Sequence, residues 1–293
     1  MNWHKKRVLV TGSSGFVGTA LVSALEHKGA IVTRYDIKQG LDVRDFDTLS
    51  HIATSAGVEV VYHLAAQSQV LVANEYPRYC FNTNINGTVN VLEMARRLST
   101  LQQVVIASSD KVYGEAKTAV GEDAAFLARN PYDVSKACAD KIAAMYADMF
   151  GLPVAISRSC NIYGYGDMNF TRLVPKTIRA VMTGEQPVIY GDGEQTREFV
   201  HIDDCVDGYL RLCDAPAGAY NFGGDEMTVN DVVSSIVLMG GGRGPLYVGS
   251  GEHEIRNQRL DDSKARSVLG WKRQVTFDDG LERTFDAYRV EWR

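Results

Sequence analysis

Residues 7–18 read RVLVTGSSGFVG, and this stretch decides the fold. Its aliphatic run at residues 8–10 predicts a strand that is buried on both faces. Three glycines follow at fixed spacing: Gly12, Gly15 and Gly18. Residues 19–26 then space their apolar side chains as a helix does. The stretch therefore predicts a strand, a glycine turn and a helix in succession.

A glycine turn between a strand and a helix is typical of the phosphate-binding half of a dinucleotide-binding fold. Gly12 permits a tight turn, Gly15 lets the backbone approach a pyrophosphate, and Gly18 lets the helix pack close to its strand. The helix N-terminus offers free N–H groups and a positive dipole end to the phosphates. We expect Phe16 and Val17 of this turn to contact the cofactor as well. An ordinary strand-to-helix turn is the alternative interpretation.

The second predicted strand, residues 30–36, ends in the carboxylate of Asp36. An acidic residue about 20 positions beyond the glycines holds the ribose hydroxyls of adenosine. It would also repel a 2′-phosphate, so the sequence favours NAD over NADP. Arg34 and Lys38 lie close by and leave NADP open. A solvated strand end is the alternative interpretation of Asp36.

The composition limits the classes of partner. With 293 residues, of which 45% are apolar, the chain can build a large α/β core. A net charge of −5 gives no basic face, so we expect no nucleic-acid partner. Five cysteines without a CxxC pair indicate reduced thiols, and no apolar run reaches membrane-spanning length. We therefore expect a cytoplasmic protein with no membrane partner and no metal site.

Alternating strands and helices predict a Rossmann-like, doubly wound parallel sheet with a smaller C-terminal lobe. Further strands are predicted at residues 58–66, 103–109 and 153–157, and helices at 46–56, 82–98 and 132–150. Shorter helices are predicted at 172–183, 203–213, 228–239, 262–268 and 277–289. We assign residues 1–164 to a dinucleotide-binding domain, to which segments near 195–225 return. Residues 165–293 would form mainly a substrate-binding lobe, with a second ligand in the cleft between the lobes.

Tyr132 and Lys136 lie four residues apart and therefore share one face of a predicted helix. A tyrosine near its free pKa is a poor base at neutral pH, but neighbouring positive charge favours the phenolate. Tyr132 could then take a proton from a sugar hydroxyl while hydride leaves to NAD. Ser109, at a predicted strand end, could orient the same hydroxyl. An ordinary pair of residues on a surface helix is the alternative interpretation of the Tyr132 and Lys136 spacing.

Four motifs, TGSSGFVG, HLAA, SSDKVYG and YDVSK, together resemble the extended short-chain dehydrogenase/reductase family that acts on nucleotide sugars. The segments NINGTVNVLE, SRSCNIYG, GEQTREFVHIDD and LDDSKARSVLGW extend this resemblance over nearly the whole chain. The resemblance implies a catalytic set of Ser109, Asp110, Lys111, Tyr132 and Lys136.

The resemblance also implies which residues bind the ligands. Beyond the glycine turn, it implies cofactor contacts at Asp36, Asp42, Val43, Leu64, Ala65, Ala66, Asn84, Tyr132 and Lys136. It implies contacts with a nucleotide-diphosphate sugar at Gln67, Ser68, Asn161, Arg172, Tyr190, Arg197 and Arg256. Arginines suit a diphosphate because they bind it bidentately, although a surface salt bridge is an alternative for Arg256. The resemblance also implies a homodimer through helices 84–98 and 132–150. The apolar stripes of these helices could instead face the core of a single chain, which is the alternative interpretation.

Asp110 and Lys111 decide the expected reaction. In 4-epimerases of this family the corresponding pair is small and non-ionisable, whereas 4,6-dehydratases need ionisable groups there. Asp110 could protonate the departing C6 hydroxyl, and Lys111 could take the C5 proton. The Asp-Lys pair resembles the CDP-glucose 4,6-dehydratases, while the run AAQS at residues 65–68 resembles the GDP-mannose dehydratases. We expect an NAD-dependent 4,6-dehydratase. A 4-epimerase with a structural Asp110–Lys111 ion pair, or a catalytically silent NAD-binding protein, are the alternatives.

Overall fold

The chain alternates strands and helices along most of its length. In chain order the strands are β1 (Arg7–Thr11), β2 (Ile31–Tyr35), β3 (Val60–His63), β4 (Gln103–Ala107), β5 (Val154–Ser159), β6 (Asn161–Tyr163), β7 (Val188–Tyr190), β8 (Thr196–His201), β9 (Gly218–Phe222), β10 (Asp225–Thr228) and β11 (Leu246–Val248). The α-helices are α1 (Phe16–His27), α2 (Phe46–Ser55), α3 (Val70–Glu75), α4 (Pro77–Phe81), α5 (Gly87–Arg97), α6 (Pro131–Phe150), α7 (Leu173–Met182), α8 (Ile202–Leu212), α9 (Val229–Gly240), α10 (Ser263–Leu269) and α11 (Phe277–Glu291). This structure, a computed structural model, describes residues 1–249 and 255–291.

Six parallel strands form the central sheet, in the order β2-β1-β3-β4-β5-β9. Every residue of β3 and β5 is buried, as expected of strands that helices cover on both faces. One apolar cluster packs α1 and α8 against the sheet, and a second packs α2, α5 and α6 against it. The predicted α/β class with a doubly wound parallel sheet is therefore confirmed.

Several element boundaries differ from the predictions. The strand predicted at 58–66 covers only Val60–His63, because Leu64–Ala66 leave the sheet at its carboxyl edge. The helix predicted at 82–98 opens with a π-helical turn, Asn82–Asn86, before α5 begins. Helices α3 and α4 were not predicted, since the stretch at residues 70–81 has no clear apolar period and contains a proline.

The C-terminal part of the chain builds a smaller lobe. A three-stranded sheet (β10-β8-β6) and a two-stranded sheet (β11-β7) lie there. Helices α7, α9 and α11 enclose a core with β6 and β8 that includes Tyr163, Ile178 and Phe199. Of the segments predicted near 195–225, β9 joins the central sheet, whereas β8 belongs to the three-stranded sheet. The division into two domains at residue 164 stays a prediction. Among the helices of the described ranges, none is long and apolar enough to cross a membrane.

A buried ion pair fixes α6 on the central sheet. The Arg158 guanidinium on β5 donates to both carboxylate oxygens of Asp140 on α6, at 2.9 and 2.8 Å. Its Nη1 also donates to the hydroxyl of Tyr113 (2.6 Å) and to the carbonyl of Glu122 (2.7 Å). Both ionic side chains are buried. This network sets the position of the helix that carries Tyr132 and Lys136.

Removing Asp140 should destabilise the fold strongly. Asp140→Ala leaves the buried Arg158 charge without its ionic partner, which typically costs about 3–5 kcal/mol. Chemical denaturation monitored by circular dichroism measures the change. Asp148→Ala is the matched control, because Asp148 is exposed on the same helix. A change of less than 1 kcal/mol for Asp140→Ala would contradict this role of the pair.

Candidate active site

An open cleft of about 330 Å³ lies at the carboxyl ends of β1, β2 and β3. Among the residues predicted as ligand contacts, it is lined by Gly12, Gly15, Phe16, Val17, Gly18, Asp36, Asp42, Val43, Leu64, Ala65, Ala66, Gln67, Ser68 and Arg172. The structure adds lining residues that the sequence did not mark as ligand contacts, including Ser14, Arg44, Tyr79 and Thr83, and Lys38 lines the cleft as well. Arg44 pairs with Asp42 and lies 5.4 Å from the centre of the Tyr79 ring, so these three side chains form one wall.

The glycine turn leaves no room for larger side chains. Gly12 has φ +70°, and a Cβ there would lie 2.6 Å from the Ala65 nitrogen. A Cβ on Gly18 would lie 2.0 Å from the Gly12 carbonyl oxygen. Residues 16–18 open α1 on the cleft wall, and no side chain caps this helix N-terminus. An uncapped N-terminus beside a close-fitting backbone turn suits a pyrophosphate.

Asp36 is held in a fixed orientation at the other end of the cleft. Its Oδ2 accepts from the Ser14 N–H and its Oδ1 from the Lys38 N–H, both at 2.9 Å. Arg34 forms a bidentate pair with Glu26 at 2.8 and 2.9 Å. Arg34 is therefore engaged by Glu26 and does not line the cleft, whereas Lys38 does, beside the carboxylate of Asp36.

A buried hydrogen-bond chain joins the ends of β1 and β3. The Thr88 hydroxyl donates to the Asn84 carbonyl at 2.6 Å, so it accepts from His63 Nε2 at 3.0 Å. His63 Nδ1 then accepts from the Thr11 hydroxyl at 2.8 Å. Burial lowers the pKa of His63 to about 3, with a smaller contribution from the Lys136 charge. A neutral imidazole therefore holds the backbone beneath the cleft.

Asn84 lies beneath the cleft wall. Its Oδ1 accepts from the Gln67 N–H at 2.7 Å, and its Nδ2 donates to the Gln67 carbonyl at 3.0 Å. Its Nδ2 also lies 2.8 Å from the Ser135 hydroxyl. In this arrangement Asn84 shapes the loop that lines the cleft, while its predicted direct contact with the cofactor stays a prediction.

Tyr132 and Lys136 lie on one face of α6, as their spacing predicts. Lys136 is buried; its Nζ donates to the Ala107 carbonyl at 2.8 Å, and burial lowers its pKa to about 8. Burial raises the pKa of Tyr132 to about 12, although the Arg172 charge and a hydrogen bond with Ser109 counteract it. Desolvation therefore outweighs the positive charge that the chain itself supplies.

Ser109, Asp110 and Lys111 form one connected group after β4. The Ser109 hydroxyl donates to Asp110 Oδ1 at 2.9 Å, and Lys111 Nζ donates to Asp110 Oδ2 at 3.2 Å. Asp110 is buried, whereas the Lys111 side chain keeps about a fifth of its surface exposed. The Asp110 charge reaches Tyr132 and raises its pKa. Four of the five predicted catalytic residues therefore interact through hydrogen bonds or charge: Ser109, Asp110, Lys111 and Tyr132. The fifth, Lys136, lies one turn further along α6.

Asp133 is a buried carboxyl group that the sequence interpretation missed. It follows Tyr132, and its Oδ2 accepts from Asn130 Nδ2 at 2.6 Å. The Asn130 side chain in turn accepts from the Asp133 N–H at 3.0 Å, which caps α6. Burial raises the pKa of Asp133 to about 6, while the Lys111 charge lowers it. The signal for the cap was present in the order Asn-Pro-Tyr-Asp, which is typical of a helix start.

The remaining predicted substrate contacts lie on the smaller lobe. Arg197 Nη1 donates to the Arg256 carbonyl at 3.3 Å, so these two arginines are neighbours. Arg256 also pairs with Asp192 at 3.0 Å. Tyr190 is half exposed, and Asn161 Nδ2 donates to the Glu198 carbonyl at 3.0 Å. Arg172 differs from them: it pairs with Asp167 at 3.0 Å and reaches the cleft.

Comparison with known proteins identifies the class. Residues 8–223 match the NAD dependent epimerase/dehydratase family. The CDP-glucose 4,6-dehydratase of Salmonella typhimurium is 31% identical, over 92% of this chain and 86% of that protein. The UDP-glucose 4-epimerase of Mycolicibacterium smegmatis is 29% identical, over 97% of this chain and 98% of that protein. The crystal structure of the dTDP-glucose 4,6-dehydratase DesIV from Streptomyces venezuelae, solved with NAD bound, matches with a TM-score of 0.91 and 30% identity over 98% of each chain.

The chain therefore belongs to the NAD-dependent epimerase/dehydratase family, within the extended short-chain dehydrogenases. It is an enzyme of this family, and its cofactor is NAD. The uncapped helix, the close-fitting glycine turn and the oriented Asp36 all fit this cofactor.

Replacing Asp36 should remove the preference for NAD. Asp36→Ala loses the carboxylate that would accept ribose hydroxyls, so NAD binding should weaken by about 1–3 kcal/mol, while binding of NADP should weaken less or improve. Isothermal titration with each cofactor measures both affinities. Asp47→Ala, on exposed α2 surface, serves as the control. Equal losses for NAD and NADP would contradict the role of Asp36 in discrimination.

Proposed function

We propose that this protein is an NAD-dependent nucleotide-sugar 4,6-dehydratase, which forms an NDP-4-keto-6-deoxy-hexose. The observation that carries the proposal is the hydrogen-bonded group of Ser109, Asp110 and Lys111 beside Tyr132. A dehydratase needs an acid and a base in addition to the groups that oxidise C4. Asp110 and Lys111 supply one carboxyl and one amine at that place.

The first step is removal of hydrogen from C4 of the sugar. NAD, when bound, accepts hydride from the substrate and later returns it. Tyr132 takes the C4 hydroxyl proton, and Ser109 holds that hydroxyl by a hydrogen bond. Because burial raises the pKa of Tyr132 to about 12, its own phenol proton must first pass to water, and positive charge near the ring favours this loss. Arg172 supplies part of this charge, and Lys136 would hold the ribose of the bound cofactor.

The elimination step uses the contact between Lys111 and Asp110. Transfer of one proton along this 3.2 Å hydrogen bond turns the ion pair into a neutral amine and a carboxylic acid. The amine then takes the C5 proton, whose acidity the 4-ketone raises, and the acid protonates the C6 hydroxyl as it leaves as water. Hydride then adds to C6 of the resulting alkene, and water supplies the proton that adds to C5. Lys111 ends as an ammonium and Asp110 as a carboxylate, so the resting ion pair is regenerated, and the proton taken from water balances the one that Tyr132 released to it.

The smaller lobe would bind the nucleotide diphosphate. The Arg197 guanidinium lies at the Arg256 backbone carbonyl there, and arginines suit a diphosphate because they bind it bidentately. Asn161 and Tyr190 lie on the same lobe, whereas Gln67, Ser68 and Arg172 line the cleft and would contact the sugar. This arrangement supports a mainly substrate-binding role for residues 165–293.

A 4-epimerase is the second candidate. The Asp110–Lys111 ion pair at 3.2 Å is the structural contact that this alternative expects. The 29% identity with an enzyme named UDP-glucose 4-epimerase favours it as well. An epimerase would need neither Asp110 nor Lys111 for chemistry, because the 4-ketone only turns over and takes hydride back on its other face.

Variants of the two ionisable residues separate these candidates. Asp110→Asn and Lys111→Met should each lower dehydration by about 10²–10⁴-fold, since each removes a positioned acid or base. Lys111→Met should also suppress incorporation of solvent deuterium at C5. Mass spectrometry of products formed in D₂O from CDP-glucose, dTDP-glucose, UDP-glucose and GDP-mannose measures both effects.

Asp123→Asn and Lys117→Met are matched controls, because both residues are exposed close to the same turn. Wild-type turnover in both Asp110→Asn and Lys111→Met would contradict the dehydratase. Unchanged turnover in the controls is required for the comparison.

We also propose a homodimer through α5 and α6. The outer surface of α6 exposes Met145, Met149 and Phe150, and Arg96 of α5 lies 5.2 Å from the Phe150 ring centre. A second copy would cover this apolar strip. Sedimentation equilibrium should give a dimer that Met149→Glu dissociates, and a monomeric wild type would contradict the proposal.

The cytoplasmic setting stays a prediction.

A further inference from the structure

Gln258 is a buried amide that contacts both ionisable residues of the proposed elimination step. Its Nε2 donates to the Asp110 carbonyl at 3.0 Å and to the Gly114 carbonyl at 3.4 Å. Its Oε1 accepts from Lys111 Nζ. Only 2% of Gln258 is exposed, so these contacts are shielded from water. One side chain therefore spans the whole turn that carries Asp110 and Lys111.

The two carbonyl acceptors fix the orientation of this amide. A carbonyl oxygen can only accept, so the NH₂ group must face Asp110 and Gly114, and the oxygen must face Lys111. This oxygen can accept from Lys111 in both its ammonium and its amine form. As an amine, Lys111 would donate one N–H to Gln258 and keep its lone pair free for a proton.

The segment that carries Gln258 also carries a predicted substrate contact. Asn257 accepts from the Ala116 N–H at 3.0 Å, and Arg259 accepts from the Val120 N–H at 3.1 Å, each through its carbonyl. On the other side, the Arg256 carbonyl accepts from the Thr196 N–H at 3.0 Å. Gln258 thus lies two residues from Arg256, on a segment held between the catalytic turn and the smaller lobe.

We infer that Gln258 is a positioning residue that holds Lys111 Nζ at Asp110 for abstraction of the C5 proton. The inference rests on the proposed dehydratase and adds a residue that does not itself touch the reacting atoms. It predicts that Gln258 acts on the elimination step and leaves oxidation at C4 largely unchanged.

A pair of substitutions separates positioning from a merely structural role. Gln258→Met and Gln258→Glu both lose the donor to the Asp110 and Gly114 carbonyls, but only Gln258→Glu keeps an acceptor for Lys111. Deuterium incorporation at C5 and formation of the 4-ketone are measured in D₂O with CDP-glucose, dTDP-glucose, UDP-glucose and GDP-mannose. Gln274→Met is the control, because Gln274 is exposed and bonds to the Lys272 carbonyl.

Gln258→Met should lower the ratio of C5 exchange to ketone formation by roughly ten- to hundredfold, as for a lost hydrogen bond to a charged group. Gln258→Glu keeps an acceptor for Lys111 but adds a negative charge that favours the ammonium over the amine, so it should lower this ratio clearly less than Gln258→Met does, with KM little changed in both variants. Equal loss in both variants, whether by misfolding or by slower oxidation, would overturn the inference. So would a Gln258→Met variant with the wild-type ratio.

Failure of the proposed function has a different signature. A wild-type enzyme that returns an isomer of unchanged mass, without deuterium at C5, overturns the dehydratase and this inference with it. Wild-type exchange at C5 together with an unchanged ratio in Gln258→Met overturns the inference alone.

Discussion

The carboxyl ends of parallel strands meet at one edge of a sheet, and this constraint gathers the glycine turn, Asp36 and the ionisable pair. Thr11 ends β1, Tyr35 ends β2, His63 ends β3 and Ala107 ends β4, all at the same edge. The chain must therefore turn there, and each turn supplies a different component. The glycine turn gives an uncapped helix start that suits a phosphate, Asp36 follows β2, and the turn at 109–113 carries the ionisable pair. Buried contacts then fix these turns.

Burial determines what the site's charged groups can do. It raises the pKa of Tyr132 to about 12 and lowers that of Lys136 to about 8, so it favours the neutral form of each group over the charged form. The Asp110–Lys111 pair lies at the border of this buried region, where the amine keeps some exposure and the carboxylate does not. A single proton transfer within that pair gives both groups the protonation state that elimination needs. The ion pair expected of an epimerase is thus equally the resting state of a dehydratase.

Local patterns predicted the parts of the site that depend on local sequence. Glycine spacing located the turn at residues 12–18, and apolar periodicity located α1 and α6 within a few residues, because each signal lies within one element. Local patterns do not reveal contacts between distant segments. The Gln258 side chain bonds to the Asp110 carbonyl although 148 positions separate the two residues, and no apolar period or motif points to Gln258. The Asn84 contact with Gln67 and the desolvation of Tyr132 likewise depend on packing. Helices α3 and α4 were missed because six- and five-residue helices show too little period.

The central claim is that the Asp110–Lys111 pair performs chemistry, and the mass of the product tests it most directly. The NAD-loaded protein is incubated with CDP-glucose, dTDP-glucose, UDP-glucose and GDP-mannose in turn, and each product is analysed by mass spectrometry. The account predicts that at least one of these sugars loses one water and gains a keto group. A product of unchanged mass that is a new sugar isomer, with no loss of water from any substrate, would contradict it.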